Sequence, residues 1–406
     1  MPKQSIDISK LETINIIIVG HIDHGKTTLL QKLSGKWTDT HSEELKRGIT
    51  IKLGYADTII YSDAKAGYNI DKKGSPQRYV SFIDAPGHEM LMATMLSGAA
   101  IVDAAILVVA ANEGIRPQTK EHFMALQAKN IDKIIVIQNK IDLVTQEQAK
   151  NNYKDIKNFL KGTIAENSPI IPVSAQQGIN IPAIYEEICK IPIPERINKE
   201  TPIFLVARSF DINRPGTLPK DLNGTVLGGT LKQGTLKLGD EIEIKPGISK
   251  KEQNQVSYTP VKTKIRALNK GSHSVSQLTP GGSASIETEL DMSIGKTDSL
   301  SGCVISLTGK LPEITTDIKL KYKLFPEIFG TSNTNAQGTK VEPLKTPEML
   351  MLSANTSVTV GTVKKLQNGN VELSLRIPIV PFKDQKVGIA RNINGHWRLI
   401  GHGEII

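Results

Sequence analysis

Residues 20–27 read Gly20-His21-Ile22-Asp23-His24-Gly25-Lys26-Thr27, a complete G-x-x-x-x-G-K-[ST] string placed directly after the apolar run Ile14-Asn15-Ile16-Ile17-Ile18-Val19. A buried strand that ends in such a loop and opens a helix is a phosphate cradle. Its glycines let the backbone curl until N–H groups face phosphate oxygens, and the helix N-terminus adds positive potential. Asp23, His24, Gly25, Lys26, Thr27 and Thr28 are the candidate phosphate contacts. Lys26 can reach the β- and γ-phosphates, and the Thr27 hydroxyl can ligate Mg²⁺. The string fixes the ligand class as a nucleoside triphosphate and commits this part of the chain to strand–loop–helix layers.

The surrounding pattern agrees. Tyr79–Ile83, Ala105–Val109, Ile134–Ile137 and Pro169–Val173 are short apolar runs, and helix candidates lie between them near 26–34, 88–99, 117–129, 145–160 and 180–189. Continuous β-branched runs separated by helices predict a mostly parallel, doubly wound α/β sheet with its ligand at the carboxyl ends of the strands. Prolines at 192, 194 and 202 then mark a stiff linker. Beyond it the chain turns to short alternating segments such as Phe204–Phe210, Glu241–Ile244 and Val371–Arg376. Turn signals recur at Asn223-Gly224, Gly228-Gly229, Leu238-Gly239-Asp240, Pro280-Gly281-Gly282 and Asn368-Gly369, and Gly330–Gly338 reads as a polar loop. That texture predicts all-β structure, in sandwiches or small barrels. The expected domains are 1–200, a P-loop nucleotide-binding domain, followed by β-barrels over 201–312 and 313–406.

Three further motifs follow in order, each closing a predicted strand. Asp84-Ala85-Pro86-Gly87-His88 offers a carboxylate for the magnesium at Asp84 and a close-approach backbone at Gly87. Asn139-Lys140-Ile141-Asp142 offers a base site. The Asp142 carboxylate matches the adjacent N1–H and 2-amino donors of guanine, which adenine lacks. Asn139 can tie the base loop to the cradle, and the Lys140 stem can lie over the purine face. Ser174-Ala175-Gln176 can present N–H groups to the guanine carbonyl. In Lys46-Arg47-Gly48-Ile49-Thr50, Thr50 is placed to add a hydroxyl to Mg²⁺ and to release its loop when the γ-phosphate leaves. His88 holds the position of a water-orienting residue, and histidine changes charge near neutral pH. Ile22 and Ile49 are expected to screen it. The remaining histidines, His21 and His24 included, read as structural, and Trp37 and Trp397 as packing residues. No residue reads as an arginine finger in cis, so unassisted hydrolysis should be slow.

The chain of 406 residues carries a net charge of +9 and only two cysteines, Cys189 and Cys303. A disulfide framework or a four-thiolate zinc site is therefore not expected. The basic surplus suits an RNA or ribosomal partner, and the absence of a long apolar stretch or signal-like start favours the cytoplasm and no membrane.

Gly-His-Ile-Asp-His-Gly-Lys-Thr-Thr, Arg-Gly-Ile-Thr, Asp-Ala-Pro-Gly-His and Asn-Lys-Ile-Asp together resemble the translational GTPases of the elongation factor Tu type. Within that group, His41–Ala56, Leu91–Ala99, Arg208–Asn213 and Trp397–Gly401 resemble the gamma subunits of archaeal and eukaryotic initiation factor 2. The resemblance implies a GTPase domain and two β-barrels, with GTP or GDP and Mg²⁺ as ligands. It implies GTP-dependent binding of methionylated initiator tRNA, delivery to the small ribosomal subunit and hydrolysis stimulated by an activating partner. It also implies a heterotrimer, with an alpha subunit on the first barrel and a beta subunit on the GTPase domain. One departure stands out. Such gamma subunits often carry a four-cysteine zinc knuckle before the Asp-Ala-Pro-Gly-His motif, whereas Tyr61 to Tyr79 contains no cysteine here. No zinc is expected, and a turn or short hairpin held only by its own hydrogen bonds is expected in the knuckle's place. Two other readings fit the same motifs: an elongator-type or selenocysteine-specific factor, and a nucleotide-gated scaffold with negligible hydrolysis.

Overall fold

The computed structural model describes residues 7–8, 11–38, 50, 52–214, 216–218, 222–252, 255–329 and 338–406. They divide into two compact units, one of residues 1–88 and 102–195 and the other of residues 89–101 and 196–406. The segments Lys46–Ile49 and Gly330–Gln337 lie outside the described residues.

In the first unit, β1 (Glu12–Gly20), β2 (Gly54–Asp63), β3 (Gly67–Asn69), β4 (Ser75–Asp84), β5 (Ala104–Ala110), β6 (Ile134–Asn139) and β7 (Ile170–Pro172) form one sheet in the order β3-β2-β4-β1-β5-β6-β7. The pairs from β4 through β7 are parallel, while β2 and β3 run antiparallel at one edge. Ile14, Ile16, Ile17, Ile18 and Val19 in β1 are all fully buried. A strand covered on both faces selects such an unbroken apolar run instead of alternation.

Local signals set the helix ends. Helix α1 (Lys26–Ser34) stops at Gly35, whose left-handed backbone returns its N–H to the Gln31 carbonyl at 2.8 Å. A second helix, α2 (Met92–Ala99), follows Asp84–His88 in sequence, and α3 (Pro117–Ala128) opens on a proline. Helix α4 (Gln146–Leu160) starts with a reciprocal capping box between Thr145 and Gln148, and α5 (Ile181–Lys190) closes the unit. Arg78, almost fully buried on β4, staples the end of α5. Its guanidinium donates to the carbonyls of Ile188 at 2.5 Å and Ile191 at 2.8 Å and to Glu12 at 2.9 Å.

The insertion before Asp84 folds as the β2–β3 hairpin and a short loop into β4. Asp63 accepts from the Lys65 and Ala66 amides at the hairpin tip. Asn69 organises the loop. Its amide group donates to the carbonyls of Gly67 and Lys73, and its side-chain oxygen accepts from the N–H groups of Asp71 and Lys73. Tyr68 and Ile70 also pack on the main core, so, contrary to expectation, the insertion is held not by its own hydrogen bonds alone but by apolar burial as well.

In the second unit, Glu241–Glu252, Val304–Leu307, Ile203–Phe210, Val226–Gln233, Ala284–Thr288 and Gln255–Lys270 pair in a ring that closes on itself. Phe204, Leu227, Ile242, Ile265 and Ile286 fill its centre. A second closed barrel runs Thr315–Leu324, Asn370–Ile379, Ser357–Gln367, Met349–Ala354, Lys386–Ile393 and His396–Ile405. The two-residue turn Asn368-Gly369, with both φ angles positive, sets one of its hairpins.

Gly228-Gly229 is not a turn; it lies inside the strand Val226–Gln233. A Cβ on Gly229 would stand 1.9 Å from the Leu205 carbonyl oxygen, so Gly229 marks a close approach of two strands. Helix α2 packs on the second barrel within this unit, and the Ser97 hydroxyl donates to the Thr356 carbonyl at 3.1 Å.

Candidate guanine-nucleotide site

The carboxyl ends of β1, β4, β6 and β7 border a cavity of about 590 Å³. Asp23, Gly25, Lys26, Thr27, Thr28, Thr50, Gly87, Asn139, Lys140, Asp142, Ser174, Ala175 and Gln176 line it, together with Ile22, Trp37 and Leu143. Thirteen of the residues singled out from sequence thus surround one space, whereas His24, Asp84 and His88 are not among its lining.

The cradle is built from backbone and tied down from several sides. Gly25 has φ +87°, and a Cβ there would lie 2.4 Å from the Asn139 side-chain nitrogen. That closeness is used: Asn139 donates to the His24 carbonyl at 2.9 Å and accepts from the Ala175 N–H at 3.0 Å. One amide side chain therefore joins the phosphate loop, the base loop and the third loop. Lys26 Nζ donates to the His21 carbonyl at 2.8 Å, and a Cβ on Gly87 would stand 2.5 Å from that nitrogen. Gly87 thus keeps the Asp84–Gly87 turn against the cradle.

Three histidines support the loop from below. His24 is fully buried and its Nδ1 lies 3.3 Å from the Val108 carbonyl, so its ring is structural while its main chain belongs to the loop. His122 accepts the Gly20 N–H at Nδ1 from 3.1 Å, which requires a neutral ring. Burial pushes the pKa of both rings down to about 3. His21 packs edge-on against His24, and burial lowers its pKa as well.

At the other end of the cradle, hard oxygens converge. Thr27 Oγ1 donates to Asp84 at 2.8 Å and lies 3.3 Å from Thr50 Oγ1, and Thr38 Oγ1 donates to the same Asp84 oxygen at 3.2 Å. Hydroxyl and carboxylate oxygens suit Mg²⁺, which keeps waters and phosphate oxygens for its other positions. Among the described residues no cluster of three or more His, Cys, Asp or Glu side chains could hold a metal ion.

One residue departs from its expectation, and another was not anticipated. Trp37 is 46 % exposed on the cavity wall and is not a packing residue. Thr38 reaches Asp84 through the turn after α1, a contact no short motif announces. Ile22 is on the cavity, while its expected partner in screening His88, Ile49, lies outside the described residues.

Residues 11–193 match the family model described as the elongation factor Tu GTP binding domain, and residues 316–405 match the one described as initiation factor eIF2 gamma, C terminal. Translation initiation factor 2 subunit gamma of Methanococcus maripaludis strain C7 is 48 % identical over 411 residues, covering 98 % of this chain and 99 % of that protein. The proteins of the same name from Methanocaldococcus jannaschii and Pyrococcus furiosus are each 48 % identical, covering 98 % and 97 % of both chains respectively. Among solved structures, a bacterial selenocysteine-specific elongation factor superposes with a TM-score of 0.75 at 25 % identity, covering 97 % of this chain and 58 % of that one. Elongation factor SelB from Methanococcus maripaludis, in complex with a GTP analogue, gives 0.72 at 24 % identity, covering 97 % of this chain and 79 % of that one. Near-complete coverage at almost half identity, on an elongation-factor-type GTPase domain followed by two closed barrels, means that the chain belongs to the gamma-subunit family of translation initiation factor 2, a family of translational GTPases.

Proposed function

We propose that the cavity binds GTP and GDP with Mg²⁺ and that its state governs uptake of methionylated initiator tRNA. The tRNA is delivered to the small ribosomal subunit and released after hydrolysis stimulated by an activating partner. The observation that carries this reading is the junction at Asn139. It ties the loop bearing Lys26 and Thr27 to the loop bearing Asp142, so that phosphate and base contacts surround one space. Thr27, Thr50 and Asp84 would hold the magnesium, which neutralises phosphate charge when bound. Asp142 would accept from guanine N1–H and the 2-amino group. His88 would orient the attacking water. His88 is not on the cavity wall, so this role requires a partner to bring it in.

The domain boundaries we propose are 1–200, 201–312 and 313–406. In this assignment the first barrel takes an alpha subunit and the GTPase domain a beta subunit, and the factor works in the cytoplasm. Among the described residues, no helix is long and apolar enough to cross a membrane. An elongator-type role draws support from fold likeness at 24–25 % identity, against 48 % for the initiation factors. Calorimetry on the folded chain tests the nucleotide reading. GDP and GTP should bind and ATP should not, and Asp142→Asn should exchange guanine for xanthine preference. A folded chain that takes up no guanylate overturns it.

A further inference from the structure

The loop after β5 carries a carboxylate that the guanine-nucleotide motifs do not include. Glu113 Oε1 lies 3.5 Å from Lys140 Nζ, and its Oε2 lies 3.7 Å from Arg116 Nε. Oε2 is also 3.8 Å from His24 Nε2. Because the buried His24 ring is neutral, that last approach is packing and not an ion pair. The carboxylate is therefore held between two permanent cations and seated against the phosphate loop. Its own backbone is fixed: Glu113 N–H donates to the Ala110 carbonyl at 3.2 Å, and the neighbouring Ala111 N–H donates to the Asn139 carbonyl at 2.7 Å. Lys140, by contrast, stands on a left-handed backbone with φ +61°. A non-glycine residue in that region persists where its surroundings fix it.

Resting on the guanine-nucleotide reading above, we infer that Glu113 is a positioning residue for the base. It draws the Lys140 ammonium toward the β5 loop so that the aliphatic stem stays laid across the purine face. Lys140 and Glu113 are both only a quarter exposed, so the attraction is less screened than at an open surface. Guanine discrimination stays with Asp142, whereas Glu113 sets how long the base is retained.

The test is the rate at which the full-length chain releases fluorescent N-methylanthraniloyl-GDP, followed by stopped flow. Glu113→Gln keeps the shape of the side chain and the loop's backbone bonds, and should release the nucleotide about five- to tenfold faster. Lys140→Ala should also be faster than wild type. The double variant should be no faster than Lys140→Ala alone, because the carboxylate has nothing left to position. Added salt should speed release more steeply in wild type than in Glu113→Gln. Acceleration in the double variant equal to the product of the two singles, or equal salt slopes, would overturn the inference. A wild-type chain that holds no GDP would instead overturn the nucleotide reading itself.

Discussion

At the scale of single residues, the site separates side chains that hold the loops from those that meet the ligand. Asn139 and His122 are wholly internal, each spending its hydrogen-bonding capacity on another loop's backbone. Asp142 and Trp37 are exposed and line the cavity. Trp37 therefore offers a direct reporter. Intrinsic emission should change when GDP binds, and that change should persist in Trp397→Phe and vanish in Trp37→Phe; an unchanged spectrum in the wild type would remove the indole from the site. His88→Ala should leave GDP affinity intact and slow partner-stimulated single-turnover hydrolysis by about 10²- to 10⁴-fold, the range for loss of a proton-handling or water-orienting group. Hydrolysis at the wild-type rate under stimulation would exclude the role.

At the scale of elements, the motif residues were legible because each motif is a local strand–loop–helix event. The string at 20–27, the turn at Asp84–Gly87 and the loop at Asn139–Asp142 need only their own flanking strands to be placed. Glu113, Thr38 and the partner of His122, a residue already read as structural, were not legible for the opposite reason. His122 meets Gly20 across 102 residues, and Thr38 meets Asp84 across 46, so only the folded sheet brings them together. Gly228-Gly229 misled because two glycines signal a turn and a close strand approach with the same letters. Sequence reading also had no sign of Arg78, which sits inside a strand yet secures a distant helix end. Arg78→Ala should cost about 2–4 kcal/mol, since it strands two carbonyl acceptors at the end of α5. Glu12→Ala, whose carboxylate is 64 % exposed, should cost under about 1 kcal/mol. Urea titrations of the two variants check the ranking, and equal losses would contradict it.

At the scale of the whole molecule, the neutral histidines under the phosphate loop make stability depend on pH. His24 and His122 have folded pKa values of about 3, below the ordinary value of 6.5. Above pH 6.5 neither state takes up the proton. Below it the unfolded chain protonates first, so stability falls as pH drops from about 6.5 toward 3. Each ring should account for about 2 kcal/mol lost between pH 7 and pH 5. Thermal unfolding of wild type and His122→Gln across that window checks this: the variant should show the shallower slope, and parallel slopes would contradict it.

The central claim is that a terminal phosphate in this cavity changes what the molecule does with RNA. The most direct measurement is the affinity of methionylated initiator tRNA for the chain loaded with a non-hydrolysable GTP analogue, compared with the same chain loaded with GDP. The account predicts binding at least about tenfold tighter in the triphosphate state, a coupling of the usual size between two ligand sites. Equal affinity in the two states would contradict it.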